Sequence, residues 1–435
     1  MECYGTGFTI FRVPDLVPCE GILGHGYLYL FTAALQLQSP WKVESVDFRD
    51  AGDGRQELRI AIGFEAGSRF CCPEPWCDET VCPVHDTRER TWRHPDFFRY
   101  KAFIHAGVPR VSCPVHGVRT VPVPWARPGG GFTLLFEAWA VEVARHLPAG
   151  TFAEQVDETD IRLWRSVAHY VDEARRLEDY TGVEAVGIDG TGRKGHGYIT
   201  VVADLVEHDV TDVTPGKDPA TVERFARDFM GHNGVPEYVR LVSCDMSLGF
   251  RKGIRECLPN VRRIVDKFHV ARHANEAVDK AGKTEGRSNP LLKRTKYLWL
   301  RNEESLAELQ LETKRNLTRQ RLRTGRACRM REVPQDVYAD SPTPSEAWVR
   351  LHRLCSWMMH SRPEPMKDFA CMIRRHFAGI VAYFKHPYTN AVLEGADSVI
   401  QNVKRRARGF RNMDHFATMI YLTCGKLDLK AVTTT

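Results

Sequence analysis

The chain has 435 residues, enough for roughly two to four domains with real cores. Apolar residues make up 43% and charged residues 27%, a globular composition that excludes disordered and fibrous classes, and no apolar run is long enough to span a bilayer. The net charge of +6 points mildly to a polyanionic partner, and the 13 cysteines, an odd number with five lying between Cys71 and Cys113, favour metal over disulfides in a chain whose start has no export signal.

Residues 1–30 are rich in Gly, Tyr and Phe without a period and read as an N-terminal extension. Residues 31–68 form a small strand-containing segment: Val43–Phe48 and Glu57–Phe64 alternate like strands around the turn residues Gly52-Asp53-Gly54. Residues 69–125 form a zinc-binding module. Cys72 and Cys77 make one short knuckle, and Cys113-Pro-Val-His116 makes a second after a strand-like interval. Each knuckle offers two ligands with little backbone strain, so Cys72, Cys77, Cys113 and His116 could hold one structural zinc tetrahedrally. Cys71, Cys82 and His85 are available as alternates, since Cys82-Pro-Val-His85 copies the second knuckle.

The Pro- and Gly-rich stretch Val121–Gly131 marks a boundary. Three helical patterns follow within residues 126–180: Thr133–Leu147, Thr151–Val156 and Asp160–Leu177. They read either as a trihelical helix-turn-helix or as a helical spacer. From Val183 the texture becomes α/β, and residues 181–270 open with consecutive hairpin-linked strands. Two of the apolar runs end in an acid, at Asp189 and at Asp245. Acids at the ends of central strands sit where α/β sheets place their chemistry, and two such carboxylates can bridge hard cations. Residues 271–386 read as a helical insertion, with a basic stretch from Lys314 to Arg331 in which Arg319 and Arg323 are candidate DNA contacts.

The last part, residues 387–435, begins with Thr389–Asn412. Val392, Ala396, Val399, Ile400 and Val403 recur at helical spacing and should face a core. Glu394, Gln401, Arg405 and Arg408 fall on the opposite side. Glu394 would complete a two-metal site with the strand-end aspartates, whereas Lys404, Arg405, Arg406, Arg408 and Arg411 suit a nucleic-acid backbone.

Three segments, beginning "GIDGTGRKGHGYITVVADL", "VSCDMSLGFRKGIRECLPNVRRIVDKFHVARH" and "TNAVLEGADSVIQNVKRRARGFRN", together resemble the insertion-sequence transposases of the ISL3 family, and "CPVHDTRERTWRHPDFF" and "VPWARPGGGFTLLFEA" extend the likeness towards the N-terminus. The resemblance implies an RNase H-like catalytic domain with a helical insertion, preceded by the zinc module and a helix-turn-helix. It implies a DDE triad of Asp189, Asp245 and Glu394, with 56 and then 149 residues between its members. Asp266-Lys-Phe-His269 resembles an acid-x-x-His motif of some DDE enzymes, which would set His269 near the scissile phosphate or a flanking base. The first knuckle is longer than the family's usual Cys-x2-Cys, which leaves Cys71 open beside Cys72, and Gly190 stands where an acid is common.

The expected activity is binding of terminal inverted repeats, cleavage at the element ends and joining of the 3′-hydroxyl to target DNA, with two Mg²⁺ (or Mn²⁺) per site and one zinc. The expected partners are double-stranded DNA and a second copy in a synaptic homodimer, in the cytoplasm at the nucleoid, with no membrane. Two rivals differ in class. A non-catalytic DNA-binding regulator is disfavoured by the three retained carboxylates. A structure-selective RNase H-like nuclease is disfavoured by amino-terminal modules suited to sequence recognition.

Overall fold

The computed structural model describes residues 26–433 apart from 51, 53–55, 78–80 and 193–196. Most of the amino-terminal extension and all but Gly52 of the expected turn at 52–54 therefore lie outside the described residues. The chain forms two compact units, Met1–Glu142 and Val143–Thr435.

In the first unit a short helix, α1 (Gly26–Ala34), precedes a sheet of β1 (Trp41–Asp50), β2 (Gln56–Phe64), β3 (Arg69–Phe70), β4 (Cys82–Phe97), β5 (Tyr100–Cys113) and β6 (Gly117–Thr120). The strand order is β1-β2-β5-β4-β3, with β6 also paired to β5. β2 runs parallel to β5, from Glu57 opposite Lys101 to Ile62 opposite Ala106. Residues 31–68 and 69–125 thus share one sheet, because β5 is long enough to pair with β2 and with β4. Inward residues alternate along β5, and they meet Trp41, Ile60, Trp92 and Trp125 in one core. Helix α2 (Leu134–Ala144) follows and buries Phe136 and Glu137, the latter accepting from Arg127 Nε at 2.8 Å.

The second unit begins with α3 (Ala149–Val156) and α4 (Asp160–Arg176). With α2, these occupy the three expected helical patterns. A five-stranded sheet comes next: β7 (Ala185–Gly192), β8 (Tyr198–Asp204), β9 (Val210–Pro215), β10 (Leu241–Cys244) and β11 (Arg262–Val265), in the order β11-β10-β7-β8-β9. β7, β8 and β9 form an antiparallel meander, whereas β10 lies parallel to both β7 and β11. Helices α5 (Pro219–Gly231) and α6 (Leu248–Cys257) bury Phe225, Phe229, Phe250 and Ile254 against Val186, Ile188 and Val242.

From α7 (Lys267–Gly286) the chain is helical through α8 (Lys296–Leu300), α9 (Glu308–Arg319), α10 (Arg323–Asp340), α11 (Pro344–Met359), α12 (Glu364–Arg375) and α13 (Phe377–Ala382), around a core that includes Trp299, Met330 and Met358. The chain then returns to the sheet with α14 (Ala391–Arg406), α15 (Met413–Cys424) and α16 (Leu429–Thr433). Leu393, Ile400, Phe416 and Ile420 pack on Ile199, Val201 and Val213, so the sheet carries helices on both faces. No helix among the described residues is long and apolar enough to cross a membrane.

Candidate active site and Cys-His cluster

Ile188 and Cys244 form the last pair of the parallel strands β7 and β10, so Asp189 and Asp245 follow side by side where that pairing stops. Asp245 lies just past β10, whereas Asp189 is not the strand end expected for it, because β7 continues to Gly192 against β8. Asp189 Oδ1 accepts from the Gly190 N–H at 2.7 Å, and Asp245 Oδ1 from the Ser247 N–H at 2.8 Å. Burial pushes the Asp189 carboxyl up; the Gly190 N–H opposes this, the Asp245 charge adds to it, and Lys217 again opposes it. A carboxylate held this way gains by meeting a cation.

Glu394 comes from the far end of the chain, and its charge, like that of Asp189, is felt by Asp266. It lies in the first turn of α14, whose start packs on β7 because residue 187 is glycine. A Cβ on Gly187 would stand 2.9 Å from Leu393 Cδ1 and 3.3 Å from Asn390 Oδ1. Glu394 itself is exposed, and its carboxyl is raised by burial and lowered by Lys267.

Asp266 follows β11. It precedes α7 without a side-chain cap hydrogen bond and its Oδ1 is unpartnered, with the Phe268 and Asn390 backbone N–H groups near its carboxyl. Burial is the main cause raising its carboxyl to about 6; those two N–H groups hold it down, while the Glu394 and Asp189 charges raise it further. His269, in the first turn of α7, is buried with its Nε2 unpartnered. Burial holds its imidazole down to about 4, with Arg272 adding to the depression and Asp245 opposing it, so the ring is neutral at physiological pH.

Three polar residues near the acids carry no strong signal in the sequence. Lys217 Nζ lies 2.6 Å from Asp245 Oδ2. Thr191 Oγ1 donates to Asp397 at 2.7 Å, and Gln401 Nε2 donates to Thr191 at 2.9 Å. Asp397 is one turn beyond Glu394, a spacing that could have revealed it. Lys217 sits in a loop and follows no motif.

The basic residues divide. Lys404 Nζ donates to the Gly192 carbonyl at 2.7 Å, at the end of the strand that carries Asp189. Arg406 donates to the Arg145 and His146 carbonyls, so it is a strut rather than a free cation. Arg405 and Arg411 are exposed. Arg408 lies beyond the end of α14 with φ +54°, so it does not continue the helical face expected for it. Val399 is exposed rather than in the core, and Leu393 takes its place. Arg319 and Arg323 are exposed at the facing ends of α9 and α10. Lys314 and Arg331 from the same basic stretch are buried: Lys314 pairs with Glu303 and Glu332 at 3.2 Å, and Arg331 donates to the Leu300 carbonyl at 3.0 Å.

In the first unit Cys72, Cys77, Cys113 and His116 bring their donor atoms within 4.8 Å of one another. Cys72 and Cys77 lie in the β3–β4 connection, and Cys113 and His116 at the β5–β6 turn, which Gly117 closes at φ +69°. Cys72 Sγ and Cys113 Sγ are each 3.7 Å from His116 Nδ1, and Cys77 Sγ is 3.7 Å from Cys113 Sγ. Neighbouring ligands of a tetrahedral zinc keep about that separation when the bonds are about 2.1–2.3 Å. Burial would raise the Cys113 thiol, but N–H groups of His116 and Val115 bring it down to about 6, towards the thiolate a metal needs. Arg119 pairs with Glu74 and ties the two knuckles together. Of the alternates, Cys71 is exposed, Cys82 is buried in the β3–β4 ladder opposite Phe70, and His85 lies 3.3 Å from Asp86.

A family model described as "Transposase", the DDE model of the ISL3 group, matches residues 186–420, a span that contains Asp189, Asp245 and Glu394. The class is therefore a DNA transposase. A second model, the helix-turn-helix domain of transposase family ISL3, matches residues 121–171, which hold α2, α3 and most of α4. The chain belongs to the ISL3 family of transposases. It is 27% identical to the transposase for insertion sequence element IS1557 of Mycobacterium tuberculosis, over 91% of this chain and 95% of that protein. It is 24% identical to the transposase for insertion sequence element IS1001 of Bordetella parapertussis, over 78% of this chain and 86% of that protein.

Proposed function

We propose that this transposase cuts DNA at the ends of its element and joins the freed 3′-hydroxyl to target DNA, on an RNase H-like sheet, with Asp189, Asp245 and Glu394 as the catalytic carboxylates. The observation that carries this reading is the pair of aspartates where the parallel pairing of β7 and β10 stops, with α14, which carries Glu394, packed on β7 at Gly187. An all-oxygen donor set suits Mg²⁺ or Mn²⁺, and a cationic ammonium already rests on Asp245 Oδ2. Such ions, when bound, make a stronger nucleophile of water or a 3′-hydroxyl and stabilise the leaving oxygen.

The protein's own groups do the positioning. Backbone N–H groups orient Asp189 and Asp245. Neutral His269 supplies a hydrogen-bonding nitrogen without adding charge. Lys404, Arg405, Arg408 and Arg411 hold backbone phosphates, with Arg319 and Arg323 doing so on the helical insertion. The helix-turn-helix and a zinc held by Cys72, Cys77, Cys113 and His116 recognise the terminal inverted repeats. Two ends must be brought together, so the working form is a dimer in a synaptic complex at the nucleoid.

The test is cleavage of labelled terminal DNA by Asp189→Asn, Asp245→Asn and Glu394→Gln, beside a gel-shift of the same DNA. Each amide keeps the shape and loses the metal-binding charge, so cleavage vanishes and binding stays. Wild-type cleavage by any one of them removes that residue from the triad.

A further inference from the structure

Lys217 is placed with more care than a surface lysine requires. Its backbone follows Gly216, whose φ of +106° suits glycine, and precedes Asp218, which caps α5 by accepting from the Thr221 N–H at 2.9 Å. Helix α6 closes on it from the other side: a Cβ on Gly249 would stand 2.8 Å from the Lys217 carbonyl oxygen. Its side chain runs over Gly190, where a Cβ would meet Lys217 Cδ at 3.0 Å and Nζ at 3.5 Å. The ammonium then lies between the rings of Tyr198 and Phe250, at 5.6 and 5.5 Å from their centroids, and ends on Asp245 Oδ2. Three glycines and two aromatic faces thus aim one cation at Asp245, where its charge is felt by Asp189 as well.

Resting on the three-carboxylate reading above, we propose that Lys217 is the counter-ion of the metal-free site and a phosphate ligand of the loaded one. At rest its ammonium neutralises Asp245 and keeps two adjacent carboxylates from repelling each other. Lys217 would have to leave Asp245 for that carboxylate to hold a divalent ion. The freed ammonium stays tethered over Gly190, and the nearest anion it can meet is a non-bridging oxygen of the phosphate at the cut. The exchange links metal loading to DNA: until a phosphate is there to receive the lysine, the metal pays the cost of unpairing it.

The test measures Mn²⁺ binding by electron paramagnetic resonance on zinc-loaded, full-length protein, without DNA and with terminal DNA. Lys217→Met keeps the stem between the rings, and Lys217→Arg keeps the charge. Without DNA, Lys217→Met should bind Mn²⁺ about tenfold more tightly, a change of about 1.4 kcal/mol, and Lys217→Arg should not. At saturating Mn²⁺, Lys217→Met should lose cleavage at least about a hundredfold while its gel-shift affinity stays within about threefold. Unchanged or weaker Mn²⁺ binding by Lys217→Met overturns the counter-ion role, and wild-type cleavage by it overturns the phosphate role. Asp245→Asn separates the two levels: if it binds Mn²⁺ like the wild type, the three-carboxylate reading fails; if it does not bind while Lys217→Met is unchanged, only the role of Lys217 fails.

Discussion

Replacing Arg175 by methionine should loosen the second unit measurably. This arginine leaves the last turn of α4 and reaches the sheet and helices of the same unit. Its Nη1 donates to Glu178, the Tyr180 hydroxyl and the Thr211 carbonyl, and its Nη2 to Asp228, each at 2.7 Å. The guanidinium also lies 4.2 Å from the Tyr421 ring centroid, so one side chain joins α4 to β9, α5 and α15. Methionine keeps the stem and removes every donor. Breaking a buried pair by deleting one partner costs about 3–5 kcal/mol. The Asp228 side chain is 35% exposed and can turn to water, so its share falls towards that of a surface pair, whereas Glu178 at 14% stays enclosed. The cost is then near the lower end, about 3 kcal/mol. For a unit spanning Val143–Thr435 that is roughly 1.5–2 °C per kcal/mol, or about 5 °C in all. Scanning calorimetry of the full chain should show the second unit melting earlier by that amount, with Arg175→Lys between the two. A methionine variant that melts within about 2 °C of the wild type would refute the reasoning.

Cys113→Ser should lose one zinc per chain by metal analysis and, with it, recognition of terminal repeats; a metal-free protein that still selects those repeats sinks the assignment. Burial holds the His94 imidazole down to about 4 from an ordinary 6.5, so between those values the unfolded chain binds the extra proton and stability is lost as pH falls. His269 and His376 act in the same sense, while Asp266 and Asp212, raised to about 6 and about 7, act against it, so the clean observable is a difference. His94→Gln should gain up to about 3 kcal/mol on the wild type between pH 7 and pH 4 in urea unfolding, and parallel curves would show that His94 is solvated. Arg405→Ala combined with Arg408→Ala should lower the log–log salt slope of binding by about 0.9 per lost phosphate contact, equally on terminal and random duplexes; an unchanged slope would make these arginines a solvated surface.

Local signals carried the sequence reading far. Asp189 and Asp245 were legible because an apolar run stops at an acid: β10 does end one residue before Asp245, whereas β7 runs on past Asp189 to Gly192 through its pairing with β8, so Asp189 lies within its strand. The helix of Glu394 was legible from its apolar spacing, apart from Val399, which the end of the core leaves exposed. What escaped depends on pairing between distant segments. β2 meets β5 across about forty residues, so two sequence segments became one sheet. Lys217 gains its meaning only from Asp245 and Gly190, neither of which is its neighbour in the chain. The basic run from Lys314 to Arg331 looked like one surface because charge alone does not say which cations find carboxylates inside, as Lys314 does.

The second sheet is laid down by Val265, yet the helices that cover its second face are α14 and α15, which begin only at Ala391. During synthesis the Cys-His cluster, the helix-turn-helix and all five strands precede the residue that supplies the third carboxylate. A chain stopped between Val265 and Ala391 would keep the Cys-His cluster and the helix-turn-helix, leave Ile199, Val201 and Val213 uncovered and lack Glu394. On the function proposed above, cutting competence would double as a check on completeness: an unfinished copy would occupy an element end without breaking it, and each such copy would shield that end from a finished one.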